Sequence, residues 1–328
     1  MTDTQNEVFK TPVNKIRLFE HGAPGSQNFK LTRKYYTEDM PDGRVKHIVQ
    51  NITDPDIVPY IPDGIGNSTD RQRIPAVLII PGGAFRRLVY NFEGEDVAKW
   101  LNSMGIAAFV LECRLPSDEH DNAEDVPLID AMRAMRVIRG RAQEFGIDEA
   151  KIGVMGFSAG GFMAALLSTA YESDVYADYK YKDEYDKLSA RPDFAVCSYP
   201  VISIDDCIEA GKRYMSEEQV LERISDSKAK ILHKYNPDKL VRPDMPPVFI
   251  CETDDDRTTL SENSVGFYMA ARKAGVSAEL HIFRTGGHGY GCGDDFAQTG
   301  EWKVLFTKWI KSIGTVSYTH LTLPTTSR

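Results

Sequence analysis

Residues 151–161 constrain the fold of this 328-residue chain more than any other stretch. An apolar run, Lys151-Ile-Gly-Val-Met155, stops at Gly156; Ser158 follows; Ala159, Gly160 and Gly161 then lead into a second apolar run, Phe162-Met-Ala-Ala-Leu-Leu167. The first run reads as a buried strand and the second as a helix, so Ser158 sits on a sharp strand-to-helix turn whose neighbours must be small. A serine in that position projects above the C-terminal edge of a parallel sheet, at a helix N-terminus where free N–H groups and the helix dipole favour developing negative charge. On its own Gly156-Phe-Ser-Ala-Gly160 is equally a glycine-rich turn, and the rest of the chain has to decide.

Strand-like runs recur at 46–52, 76–80, 107–111, 151–155, 194–199, 248–251 and 279–283, with helical periodicity at 96–104, 128–145, 161–171, 260–274 and 302–313. Such alternation predicts an α/β fold, a mostly parallel central sheet with helices on both faces. Residues 1–70, richer in Pro, Asp and Asn, are expected to add one strand and loops to a catalytic domain at 71–314. The polar stretch 202–241 reads as a small insertion after the strand that follows the nucleophile helix. From Val316 the chain resembles the in-frame translation of a sequencing adapter, so 315–328 are expected to be an artefact of metagenomic assembly, outside the fold.

Composition narrows the function classes. With 42% hydrophobic and 27% charged residues the chain can bury a large core. A net charge of −9 without a basic run argues against nucleic acid or an anionic membrane as partner. No apolar stretch approaches the roughly 20 residues that span a bilayer. The start of the chain lacks the basic and apolar regions of a signal peptide, and Cys113, Cys197 and Cys251 lie in strand-like runs as buried thiols; the expectation is a reducing, cytoplasmic setting.

A serine becomes a nucleophile when a base takes its proton and a third group orients that base. On a strand–turn–helix serine the order is Ser, acid, His. Among seven histidines, only His288 follows the last strand on a glycine-flanked loop, Thr285-Gly-Gly-His-Gly-Tyr-Gly291. The acid should leave the end of the preceding strand, where Asp254-Asp-Asp256 stands; spacing favours Asp256, with Asp255 as the alternative. Three adjacent carboxylates cannot all be buried and charged, so one should face His288 while the others are solvated or cap a helix. A metal site there is disfavoured because consecutive carboxylates diverge and no His or Cys is near. Ile79-Ile-Pro-Gly-Gly-Ala-Phe85 is a strand entering a Gly-Gly loop, and the N–H groups of Gly83, Ala84 and Ala159 are candidates for an oxyanion hole. Phe85, Arg86 and Arg87, just past that loop, are candidates to meet a sugar or an acidic group. The tyrosines from Tyr171 to Tyr185 are expected to pack locally or meet another subunit, since the nucleophile helix carries them to the far edge of the sheet.

From about residue 75 to 311 the chain resembles the acetyl-esterase/lipase group of α/β-hydrolases, the xylan and hemicellulose acetyl esterases. The residues that carry it are Pro81-Gly-Gly83, Glu93-Gly-Glu95, Arg114-Leu-Pro116, Gly156-Phe-Ser-Ala-Gly-Gly161, Arg191-Pro-Asp-Phe194, Tyr199-Pro200, Pro246-Pro247 and Gly286-Gly-His-Gly-Tyr-Gly291. The resemblance implies a serine esterase with Ser158, Asp256 and His288 as triad and no cofactor. It removes short acyl groups from carbohydrate or small esters, and Arg114 and Tyr199 join the candidate substrate contacts. Two departures stand out: Ala84 replaces the usual third small glycine, and Arg257-Thr-Thr follows the acid where an apolar pair and Pro are common. The alternatives are a prolyl-oligopeptidase-type serine peptidase, for which 70 leading residues are too few to build a propeller, and a binding protein that kept the fold without catalysis. A homo-oligomer is compatible with either reading.

Overall fold

The computed structural model describes residue 9 and residues 13–65, 73–118, 120–213, 216, 218–220, 227–293 and 297–316. In chain order the strands are β1 (Ile16–Arg17), β2 (Lys34–Asp39), β3 (Val45–Gln50), β4 (Asp56–Tyr60), β5 (Ile74–Ile80), β6 (Leu88–Val89), β7 (Ala107–Glu112), β8 (Ile147–Phe157), β9 (Ala195–Ser198), β10 (Val248–Thr253) and β11 (Ala278–Phe283). Eight of them form one sheet, ordered β1-β4-β7-β5-β8-β9-β10-β11, with β2, β3 and β6 in a second, smaller one. From β7 to β11 every neighbouring pair is parallel, while β1 and β4 close the other edge antiparallel. Every residue of β5, β7 and β10 is buried, which is why those strands read as nearly unbroken apolar runs: helices cover both faces.

The α-helices include α1 (Asp96–Ser103), α2 (Val126–Gly140), α3 (Ala142–Phe145), α4 (Ala159–Ala170), α5 (Ile204–Lys212), α6 (Ser227–Lys234), α7 (Ser261–Lys273) and, after the last strand, α8 (Ala297–Ser312). The single helix expected over 128–145 is two, because Arg141 leaves helical geometry (φ −103°, ψ 17°) before the last turn ends on left-handed Gly146. Residues 202–241 supply α5 and α6, and the latter stays tied to the body: Lys234 Nζ donates to Asp125 Oδ2 at 2.7 Å.

The N-terminal region departs most from expectation. The sequence reading allows it one strand, whereas its described residues form four, β1 to β4, shared between both sheets. β2 is mostly polar, Lys-Tyr-Tyr-Thr-Glu-Asp, and β4 contains Pro59, so neither carries a strong strand signal. Pro59 is tolerated because β1 pairs only with Asp56 and Ile57, leaving no strand to receive its missing N–H on that side. Charge holds the region in place. Fully buried Glu112 accepts from Lys15 Nζ and from Arg33 Nη1, each at 2.6 Å. The tyrosines expected to pack locally or meet another subunit instead reach the N-terminal region: Tyr176 and Tyr179 meet Phe19 edge-on, and the Tyr179 hydroxyl donates to the Gly22 carbonyl. Val316 is buried, so the packed body includes the first adapter-like residue; residues 317–328 lie outside the described residues.

Candidate active site

Ser158 stands between β8 and α4 with φ 54° and ψ −118°, a conformation L-residues rarely adopt. The packing around it explains the glycines. A Cβ on Gly156 would lie 1.9 Å from the Gly160 carbonyl oxygen, and one on Gly160 would lie 2.0 Å from that of Ile80. No side chain fits at either place, so the turn holds its strained serine only because both positions are bare.

His288 arrives on the loop after β11. Its Nε2 lies 2.8 Å from Ser158 Oγ and its Nδ1 lies 2.6 Å from Asp256 Oδ2. An ionised carboxylate only accepts, so Nδ1 carries the proton and Nε2 is left to accept from the serine hydroxyl. The Asp256 side chain is fully buried and also accepts from the N–H groups of Thr258 at 2.7 Å and Thr259 at 3.0 Å and from Thr259 Oγ1 at 3.0 Å. Burial works to raise its pKa, but His288 and the two threonine N–H groups outweigh it and hold the carboxyl below its ordinary value. The Arg257-Thr-Thr departure is therefore no displacement of the acid: its threonines supply the donors.

The other two aspartates take different fates. Asp254 is exposed. Asp255, neither merely solvated nor a helix cap, accepts from the Gly287 N–H at 2.8 Å and so anchors the histidine loop. Behind Asp256, Glu252 is fully buried, and burial followed by the Asp256 charge pushes its carboxyl well up.

Gly83 and Ala84 line a cavity of about 250 Å³ together with Ser158 and His288. Gly83 has φ 138° and Ala84 φ 57°, and neither N–H has an acceptor among the described residues. Ala159 opens α4 beside the serine and lines a narrower apolar crevice.

Glu93, part of the matched Glu93-Gly-Glu95, is a site residue to which sequence reasoning gave no role. It is buried, and its Oε2 accepts from the Gly82 N–H at 2.8 Å while its Oε1 accepts from the Tyr199 hydroxyl at 2.9 Å. Tyr199 in turn accepts from the Gly291 N–H at 3.0 Å, so one carboxyl ties the Gly-Gly loop to the histidine loop. Burial raises the Glu93 pKa against the lowering influence of His288, Tyr199 and Gly82. Thr259 was likewise missed. So was the third wall: Met40, Arg44 and Lys46 reach the cavity from the β2–β3 hairpin, a placement made by the antiparallel pairing of β3 with β6 just past the Gly-Gly loop.

The candidate substrate contacts fare less well. Phe85 is buried edge-on against Phe162 and borders the apolar crevice rather than the Ser158 cavity. Arg86 is exposed and off the cavity wall, which takes Arg87 instead. Arg114 is fully buried, its guanidinium paired with equally buried Asp130 at 2.7 Å and donating to Ser26 Oγ at 2.8 Å. Tyr199 is fully buried behind His288, with ring centroids 5.0 Å apart. Arginine packed this deeply and tyrosine used on both sides have no surface left for a ligand.

Strand order, the serine elbow after β8 and the later acid and histidine loops define an α/β-hydrolase fold. The chain belongs to the BD-FAE family, whose model matches residues 65–270. It is 31% identical over 240 residues to an acetylxylan esterase of Xylanibacter ruminicola, covering 73% of this chain and 45% of that protein. It is 29% identical over 269 residues to endo-1,4-beta-xylanase B of Butyrivibrio fibrisolvens, covering 80% of this chain and 40% of that one. The chain thus spans less than half the length of either curated relative. Among solved structures, an acetyl ester-xyloside bifunctional hydrolase from Caldicellulosiruptor lactoaceticus superposes with a TM-score of 0.69 at 35% identity, covering 92% of this chain and 97% of that one.

Proposed function

We propose that this protein is a serine carboxylic-ester hydrolase that removes short acyl groups, acetyl above all, from carbohydrate or small esters. The observation that carries the reading is the unbroken hydrogen-bonded line Asp256–His288–Ser158, with 2.6 and 2.8 Å links, opening onto a cavity walled by Gly83 and Ala84. In the acylation step Ser158 Oγ attacks the ester carbonyl as its proton passes to His288 Nε2. Asp256 holds the Nδ1–H and stabilises the imidazolium. The carbonyl oxygen, now an oxyanion, takes N–H donors from Gly83, Ala84 and Ala159, each worth about 10²–10³ in rate. His288 returns the proton to the departing alcohol, leaving an acyl-serine. Water then enters, gives a proton to His288, and releases the carboxylic acid as the serine recovers its proton.

Acetylated sugar chains as substrate are supported by the relative that is an acetylxylan esterase and by the acetyl ester-xyloside hydrolase among solved structures. A cavity of about 250 Å³ suits a small acyl group better than a long chain. Among the described residues no helix is long and apolar enough to cross a membrane. A reducing compartment such as the cytoplasm is supported by the buried thiols of Cys113, Cys197 and Cys251. The test is acetate release from acetylated xylo-oligosaccharides, with Ser158→Ala alongside. Release that falls by about 10⁴ or more in the variant supports the reading. Release that survives it removes serine catalysis, and cleavage of an aryl acetate alone removes the sugar.

A further inference from the structure

The wall of the Ser158 cavity contributed by the N-terminal hairpin is cationic, in a chain whose net charge is −9. Arg44 and Lys46 come from the hairpin and Arg87 from the end of the Gly-Gly loop. Both arginines have carboxylate partners, Asp42 for Arg44 and Glu38 for Arg87, but neither carboxylate lines the cavity. Those pairs are a quarter to a half exposed, where an ion pair is worth little and gives way readily to a better anion. The Arg44 guanidinium lies 5.2 Å from the ring of Phe92, another wall residue. Lys46 is half-buried and makes no salt bridge among the described residues; it feels the charge of Glu93. Glu93 is the one carboxylate on the described wall, and both its oxygens are already taken by the Gly82 N–H and the Tyr199 hydroxyl. An entering ligand therefore meets positive charge and the serine in one cavity. A hairpin whose basic residues were merely solvated would scatter them over its outer surface; here they share one cavity with the nucleophile.

We infer that Lys46, Arg44 and Arg87 form a subsite for an anionic group on the alcohol part of the ester. The substrate class is an acylated sugar chain carrying a negative charge close to the acyl group, either a uronate carboxylate or a phosphate. This inference rests on the ester-hydrolase reading, so it is tested first by binding, which needs no turnover.

Ser158→Ala protein is titrated with three acetylated ligands: a neutral xylo-oligosaccharide, the same chain bearing a glucuronic acid branch, and an acetylated hexose phosphate. The expected result is binding of at least one anionic ligand about tenfold tighter than the neutral one at low salt, a preference that shrinks as salt rises. Which anion gains tells a uronate from a phosphate source. Adding Lys46→Gln should bring the ratio of anionic to neutral affinity to about one, and Lys46→Glu should invert it. Equal affinity for all three ligands overturns the subsite, and so does a preference that survives Lys46→Glu. Turnover by Ser158-containing enzyme is then read as the same ratio in kcat/KM. Loss of all ester cleavage with the binding preference intact would remove the hydrolase reading and leave the subsite standing.

Discussion

The two sides of the Ser158 cavity are built by opposite means. On the sheet-edge side, Ser158, His288 and Asp256 are placed by backbone constraint: a strained φ of 54°, glycines with no room for a Cβ, and a carboxylate fed by neighbouring N–H groups. On the hairpin side, Met40, Arg44 and Lys46 are half-buried and reach the cavity through pairing of strands far apart in the chain. The first side tolerates almost no change because Ser158 and Asp256 are buried and half-buried His288 is bonded at both ring nitrogens. The second is held by exposed ion pairs and tunes what enters. Chemistry and selectivity are thereby separated in the fold, and each can be perturbed without the other.

The sharpest break is on the sheet-edge side. Asp256→Asn keeps the shape of the carboxyl but lets the side chain donate to His288, favouring the wrong tautomer; kcat should fall about 10⁴-fold while folding is retained. Single-turnover acylation with an aryl acetate measures it, and a loss of tenfold or less would mean that Asp256 does not orient the imidazole.

Next comes a buried ion pair off the wall of the Ser158 cavity. Arg114→Met leaves Asp130 charged and unpaired in a fully buried site, which costs about 3–5 kcal/mol. Denaturant unfolding should report that loss, and Arg114→Met with Asp130→Leu should recover much of it. Failure to recover would mean that the arginine's bonds to Pro24 and Ser26 matter more than the ion pair.

The smallest effect is on acid stability. His120 is buried with Nδ1 2.9 Å from Ser26 Oγ, and burial, then the Arg114 charge, lowers its pKa from 6.5 to about 4. Below 6.5 the unfolded chain takes up a proton that the folded one refuses, so stability falls with pH through the window from 6.5 to about 4. At ~1.4 kcal/mol per pKa unit the loss approaches about 3 kcal/mol. His120→Gln should flatten the slope of the urea midpoint across that window; an unchanged slope would mean that other groups carry the acid dependence.

Much of the sheet-edge side was legible because its requirements are local. Gly156, Ser158 and Gly160 sit within five residues, and His288 was isolated by chain order and its glycines. Asp256 stood out against Asp255 by spacing and by the family resemblance, and the structure separates them by what each accepts: the imidazole Nδ1 in one case, the Gly287 N–H in the other. Glu93 was visible as a pattern but not as a function, since its partners, Gly82 and Tyr199, are distant in sequence. Arg114 and Tyr199, substrate candidates through the resemblance, are withdrawn for the converse reason: a matched polar residue looks available until its buried partners are known.

By itself, then, the order of residues determined the alternation of strand and helix, the elbow at Ser158 and the chain order of acid and base. Those follow from periodicity and from steric demands that act over a few residues. Tertiary structure alone decided that residues 13–60 form four strands rather than one, that the β2–β3 hairpin turns Arg44 and Lys46 toward the serine, and that Glu93 joins two loops. Strand pairing and the desolvation of buried charge depend on partners that sequence proximity does not reveal.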